Sequence, residues 1–171
     1  MLNVSYFAKA EKRNNTMSIE KAKKYLENKG YGDRIICFDV SSATVELAAA
    51  ALGCKPALIA KSITFKVNGK AVMIVCAGDV KIDNSKYKAK FNTKAVMLTP
   101  TEVDEMIGHS VGGVCPFGIN DGVDVYMDES LKRFEIVYPA CGNAASAVKV
   151  TPDELFDISN AIEWIDVTKL K

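Results

Sequence analysis

The feature that most constrains the fold is a hairpin in the middle of the chain. Ile59–Val67 and Lys70–Ala77 are two runs rich in β-branched and apolar residues, joined by Asn68-Gly69. That pair suits a two-residue type I′ turn, whose central residues both take positive φ. Two strands alone cannot hold together in water, so the rest of the chain must extend and cover them. Alternating or apolar runs predict further strands at 35–38, 95–98, 123–127, 134–138, 145–150 and 162–165. A helix is expected over 18–29, with Ser18 as cap and Gly30 as stop, and another runs from Thr44 to Leu52 before Gly53. Thr99-Pro100-Thr101-Glu102 and Thr151-Pro152-Asp153-Glu154 are capping boxes with proline at the first helical position. The first opens a helix to Gly108, the second opens the last helix, and a short helical turn is expected near Ser130.

No repeat, low-complexity tract or linker divides these elements. The expectation is one α+β (mixed α/β) domain over 17–171, with a mixed, partly barrel-like sheet surrounded by helices. Residues 1–16 carry Lys9, Lys12 and Arg13 and no apolar stretch of secretory length, so they are set aside as a tail rather than a signal peptide.

Composition excludes several classes. At 171 residues and 49% hydrophobic, the chain can bury a real core. No apolar run approaches the roughly 18 residues of a membrane span, so neither membrane nor secretory location is expected. The five cysteines, Cys37, Cys54, Cys76, Cys115 and Cys141, are odd in number, widely spaced and without a Cys-x-x-Cys pair. That pattern argues for a reducing, cytoplasmic setting rather than a disulfide framework. His109 is the single histidine, which leaves no multi-histidine metal site, and no metal or cofactor is expected. A net charge of +1 conceals a division: 17 basic against 8 acidic residues over 1–94, then 5 against 13 over 95–171. Within 81–94, Lys86, Lys88, Lys90 and Lys94 surround Tyr87 and Phe91, either as a solvated face or as a patch for an anionic partner.

Two features could carry chemistry. Strand alternation puts Ile59, Lys61, Ile63, Phe65 and Val67 on one face and Ala60, Ser62, Thr64 and Lys66 on the other. Lys66 falls on the polar side, whereas Lys61 is in phase with the core. A lysine there either lines a pocket as an oxygen-binding cation or snorkels past the core edge. The segment 108–118 holds Gly108, Gly112, Gly113 and Gly118, and so admits positive φ and close backbone approach to a ligand. It lacks the Gly-Lys-Ser/Thr ending of a P-loop. His109 and Cys115 invite a nucleophile–base reading, against which no third orienting residue is visible. The stretch 140–147, with Gly142 and Asn143, serves either as a source of backbone donors or as a tight β-connection.

Taken in order, Ile59-Ala60-Lys61-Ser62-Ile63-Thr64-Phe65, the glycine-rich run 108–118, Gly142-Asn143 and 147–155 resemble the YbaK/EbsC family, related to the editing domain of prolyl-tRNA synthetases. The resemblance covers nearly the whole chain after residue 17. It implies a trans-acting hydrolase for the ester between a misattached amino acid and the 3′-terminal adenosine of a tRNA, needing neither metal nor triad. It also implies that Lys61 is the catalytic pocket lysine, that Gly112, Gly113, Gly118 and Gly142 shape the pocket, and that Ser62, Asn143 and His109 adjoin the substrate, His109 not as general base. The partners implied are mischarged tRNA and, through the relatives, an aminoacyl-tRNA synthetase. A non-catalytic binding module on the same fold is the alternative.

Overall fold

The computed structural model describes residues 4–171. The order is α1 (Val4–Asn28), β1 (Ile35–Cys37), α2 (Val45–Leu52), β2 (Ile59–Val67), β3 (Lys70–Ala77), β4 (Val80–Ile82) and α3 (Asn84–Phe91). There follow α4 (Pro100–Glu102), β5 (Asp124–Asp128), β6 (Tyr138–Pro139), β7 (Ser146–Val148), α5 (Pro152–Ile158), β8 (Trp164–Ile165) and β9 (Thr168–Leu170).

The hairpin forms as its sequence requires. Asn68 and Gly69 take φ of 50° and 79°, and β2 pairs antiparallel with β3 from Val67↔Lys70 to Ala60↔Ala77. These strands centre a five-stranded sheet of order β6-β2-β3-β5-β8, in which every other pairing is parallel. Single bridges, Val137↔Val150 and Ala140↔Ala147, link the segment around β6 to the segment around β7, which pairs separately with β1. The mixed sheet with helices around it is the one expected from the sequence. A small β4–β9 pair lies apart from it.

Both faces of the hairpin are covered, which corrects the reading of one of them as polar. Ala60 and Thr64 are 2% and 6% exposed, opposite Ala77 and Met73. Ala60, Met73, Val75 and Ala77 belong to the main core, shared with Ala22 and Leu26 of α1 and Leu155 and Ile158 of α5. The other face, that of Lys61, Ile63 and Phe65, meets a second cluster of Phe65, Val72, Ile74, Tyr87, Ile165 and Val167. Asp128, fully buried at the end of β5, accepts from Thr168 Oγ1 (2.7 Å) and from the Ser130 and Val167 amides (both 3.0 Å). Three donors satisfy a carboxylate that burial would otherwise penalise, and they tie β5 to β9.

The capping signals hold. Thr44 accepts from the Leu47 amide at 3.1 Å and Gly53 closes α2 at φ 67°; both capping boxes form. Elsewhere the structure departs from the expectation. α1 starts at Val4, so Ser18, 3% exposed, is an interior helical residue and not a cap. No glycine or proline interrupts 4–17, and the Thr16 hydroxyl bonds back to the Lys12 carbonyl at 2.9 Å instead of breaking the helix. The helix from Pro100 becomes a wide π-turn over Val103–Ile107 before Gly108 stops it at φ 86°. Residues 95–98 contribute one bridge, Phe65↔Met97, rather than a strand. The sequence reading missed β4, α3 and β9.

Candidate active site

The outer edge of β2 is interrupted. Its start pairs with β6 at Ile59 and Ala60. Further along, the Lys66 amide donates to Val96 O at 2.9 Å and the Leu98 amide to Thr64 O at 3.1 Å. Strand alternation turns the main-chain groups of Ala60, Ser62, Thr64 and Lys66 to this same side. Between the two paired stretches lies Ser62, whose N–H and C=O make no backbone hydrogen bond among the described residues.

A cavity of about 410 Å³ opens at that gap. Val45, Ala48, Leu98, Val103 and Val114 give it apolar walls, and Ser42, Thr44, Lys61, Ser62, Thr64 and Ser146 supply polar groups. Met97 and Val111, each 63% exposed, stand among the residues around it. An apolar hollow with a few convergent polar groups is the usual form of a small-molecule site.

Lys61 is half-buried and faces Cys76 across the hairpin. Its ammonium donates to the carbonyl of Val80, where β4 begins. Burial holds its pKa below the ordinary lysine value of 10.5. The Cys76 thiol is itself pushed up to about 12 by burial and stays a neutral neighbour. Lysine has three N–H donors, so the one spent on Val80 leaves others for a ligand.

The glycines work largely from behind the cavity. Gly112, at φ 96°, borders it directly. A Cβ on Gly113 would sit 2.4 Å from Asn143 Cα, so the loop and the 141–145 turn touch backbone to backbone. A Cβ on Gly142 would lie 2.4 Å from Ser18 O, and one on Gly118 would lie 2.8 Å from Lys21 O. Those two glycines let α1 pack directly against their loops, where any side chain would hold it off. Asn143 spends its Oδ1 within its own turn, on the Ala145 amide (3.0 Å) and beside the Ser146 hydroxyl (2.7 Å).

His109 is 1% exposed, with Nε2 2.7 Å from Phe117 O and 3.5 Å from Cys115 Sγ. Burial lowers the histidine pKa and raises that of the Cys115 thiol, so both are held neutral. Neither lines the cavity. Sequence spacing could not reveal their contact, and the contact does not expose them to a substrate.

Of the residues singled out in the sequence, the fold brings Lys61, Ser62 and Gly112 onto the cavity wall. His109, Gly113, Gly118, Gly142 and Asn143 are not among its lining residues, and Gly118 lines a separate hollow with Tyr25 and Asn120. The sequence reading did not find Thr44, Met97, Leu98 and Ser146. Only Thr44 carried a signal, as the cap whose helix start borders the cavity. No trio of His, Cys, Asp or Glu among the described residues is placed to hold a metal ion, and none of their helices is long and apolar enough to cross a membrane.

Fold and site together define a small α+β domain with a lysine-bearing cavity at a sheet edge, bordered by a glycine-rich loop. Residues 40–158 match the model of the aminoacyl-tRNA editing domain, and the chain belongs to that family. An uncharacterized protein of Bacillus subtilis, YwhH, is 46% identical over 154 residues, covering 90% of this chain and 98% of its own length. A proline–tRNA ligase of Geobacillus sp. is 31% identical over 120 residues, which is 68% of this chain but only 21% of the ligase. A solved structure described as a candidate trans-editing enzyme for prolyl-tRNA synthetase superposes with a TM-score of 0.81 at 29% identity, covering 89% of this chain and 97% of that one.

Proposed function

We propose that the protein is a free-standing, cytoplasmic aminoacyl-tRNA deacylase, removing a misattached amino acid from the 3′-terminal adenosine of a tRNA. The observation that carries this reading is the position of Lys61, the one charged residue among those lining a largely apolar cavity at an unpaired strand edge. An aminoacyl ester is already activated, so its hydrolysis needs positioning and charge stabilisation more than a protein nucleophile. Water adds to the ester carbonyl carbon, guided by the neighbouring ribose hydroxyl. The tetrahedral intermediate then releases the ribose oxygen, which takes one of the water's protons, and the amino acid departs as a carboxylate while the other proton passes to solvent. Lys61 and main-chain N–H groups would stabilise the developing oxyanion, with the N-terminal end of α2 adding positive potential. The amino-acid side chain would occupy the apolar part of the cavity, leaving the adenosine at the rim by Met97 and Val111.

A second reading, a module that binds charged tRNA without turnover, is favoured by one observation. No histidine, cysteine or carboxylate lines the cavity, and the Lys61 ammonium already has a protein acceptor. A panel of mischarged tRNAs separates the two. Catalytic amounts of a deacylase free the amino acid from at least one of them. A binding module in excess shields the ester and releases none. A synthetase partner would show itself as a faster release when the cognate synthetase is added.

A further inference from the structure

The gap in β2 is one residue long. Ala60 is engaged by β6 on one side, and the Thr64 carbonyl by the Leu98 amide on the other. Only Ser62 has both N–H and C=O turned to the cavity without a backbone partner among the described residues. The flanking pairings block both ends, so no extended peptide strand can be added there. A single aminoacyl unit fits, since one residue in extended conformation presents its N–H and C=O on the same side. Unpaired main-chain groups bordering an apolar hollow are costly to leave dry, which favours a ligand that completes them.

We infer that the Ser62 main chain recognises the substrate's α-amino-acid unit. Its carbonyl accepts from the α-ammonium, and its N–H donates to the ester carbonyl oxygen. This deepens the deacylase reading and rests on it. The ammonium contact is charge-assisted, so it selects for a free amine. The amide contact points at the oxygen that becomes anionic, beside Lys61, so the same residue aligns the ester for attack. Blocking the amine with an acyl group removes the charge and places bulk between the strand ends. The protein would therefore spare peptidyl- and formylaminoacyl-tRNA while cleaving free aminoacyl-tRNA.

The test uses the full chain with matched substrates: the aminoacyl-tRNA it cleaves fastest, and the same tRNA after N-acetylation. The expected result is a kcat/KM about 10- to 100-fold lower for the acetylated form, the scale of one charge-assisted hydrogen bond. Ser62→Pro removes the N–H while sparing the β2–β3 ladder, because the Ser62 amide points away from β3. That variant should lose at least about tenfold on the free substrate with its unfolding midpoint retained. Cleavage of both tRNA forms within a factor of about three overturns this inference and leaves the deacylase reading standing. Failure to cleave any aminoacyl-tRNA in the panel overturns both. The comparison of substrates on the unaltered protein stands even if Ser62→Pro does not fold.

Discussion

His109 shows how a residue can sit inside a functional motif and act on stability. Burial keeps its folded pKa below 6.5, and the Phe117 carbonyl opposes that shift. Under acid the unfolded chain takes up a proton that the folded one resists. The stability His109 permits is therefore whole above pH 6.5 and drains away as pH falls from there toward the depressed folded value. As the single histidine of the chain, it carries the whole histidine contribution. Urea unfolding between about pH 7.5 and about pH 5.5 should show a steeper loss for the wild type than for His109→Gln. Equal slopes would contradict the assignment. Cys115 makes a parallel case. Fully buried and held neutral, it should resist alkylation in the folded protein, and Cys115→Ser should deacylate as the wild type does.

At the scale of elements, the close approach of the glycine loop to the 141–145 turn sets the shape of the cavity floor. Gly113→Ala drives a methyl group into Asn143 backbone at 2.4 Å, where no flexible side chain can give way. The expected cost is about 1–3 kcal/mol in denaturant unfolding, with deacylation falling as Gly112 shifts. A variant as stable and active as the wild type would show that the two segments separate freely. What was legible in the sequence follows the same division between local and distant causes. The hairpin, the Thr44 cap and both capping boxes were readable because their determinants lie within four residues of one another. The break in the β2 edge was not, because it is set by Val96, Leu98 and Pro139, far away along the chain. α3 was hidden by its lysines, although the Asp83 cap and the four-residue spacing of Tyr87 and Phe91 were there to be read. Lys61 stood out by its phase alone, but its Val80 partner depends on a β4 too short to predict.

Across the whole molecule, the division between a basic first half and an acidic second half does not make two poles. Arg34–Glu154, Lys66–Glu102, Lys70–Asp124, Lys86–Asp166 and Lys90–Glu163 each join a base from 1–94 to an acid from 95–171. Pairs this exposed add little stability, and within the 81–94 tract they engage two of the five lysines, Lys86 and Lys90. Lys81, Lys88 and Lys94 make no ion pair among the described residues. If Lys88 and Lys94 meet the tRNA backbone, their joint reversal to Glu should raise KM with kcat nearly unchanged. The salt dependence of KM should also become shallower, by about 0.7 in log–log slope for each phosphate no longer neutralised. A KM and slope equal to those of the wild type would move the tRNA to another face.

Everything proposed for the cavity depends on Lys61 acting at the ester. Single-turnover release of the amino acid from a mischarged tRNA, comparing wild type with Lys61→Ala, tests that role most directly. The expected result is a rate at least about 100-fold lower in the variant, with its thermal midpoint close to that of the wild type. Wild-type rates from a folded Lys61→Ala protein would contradict it.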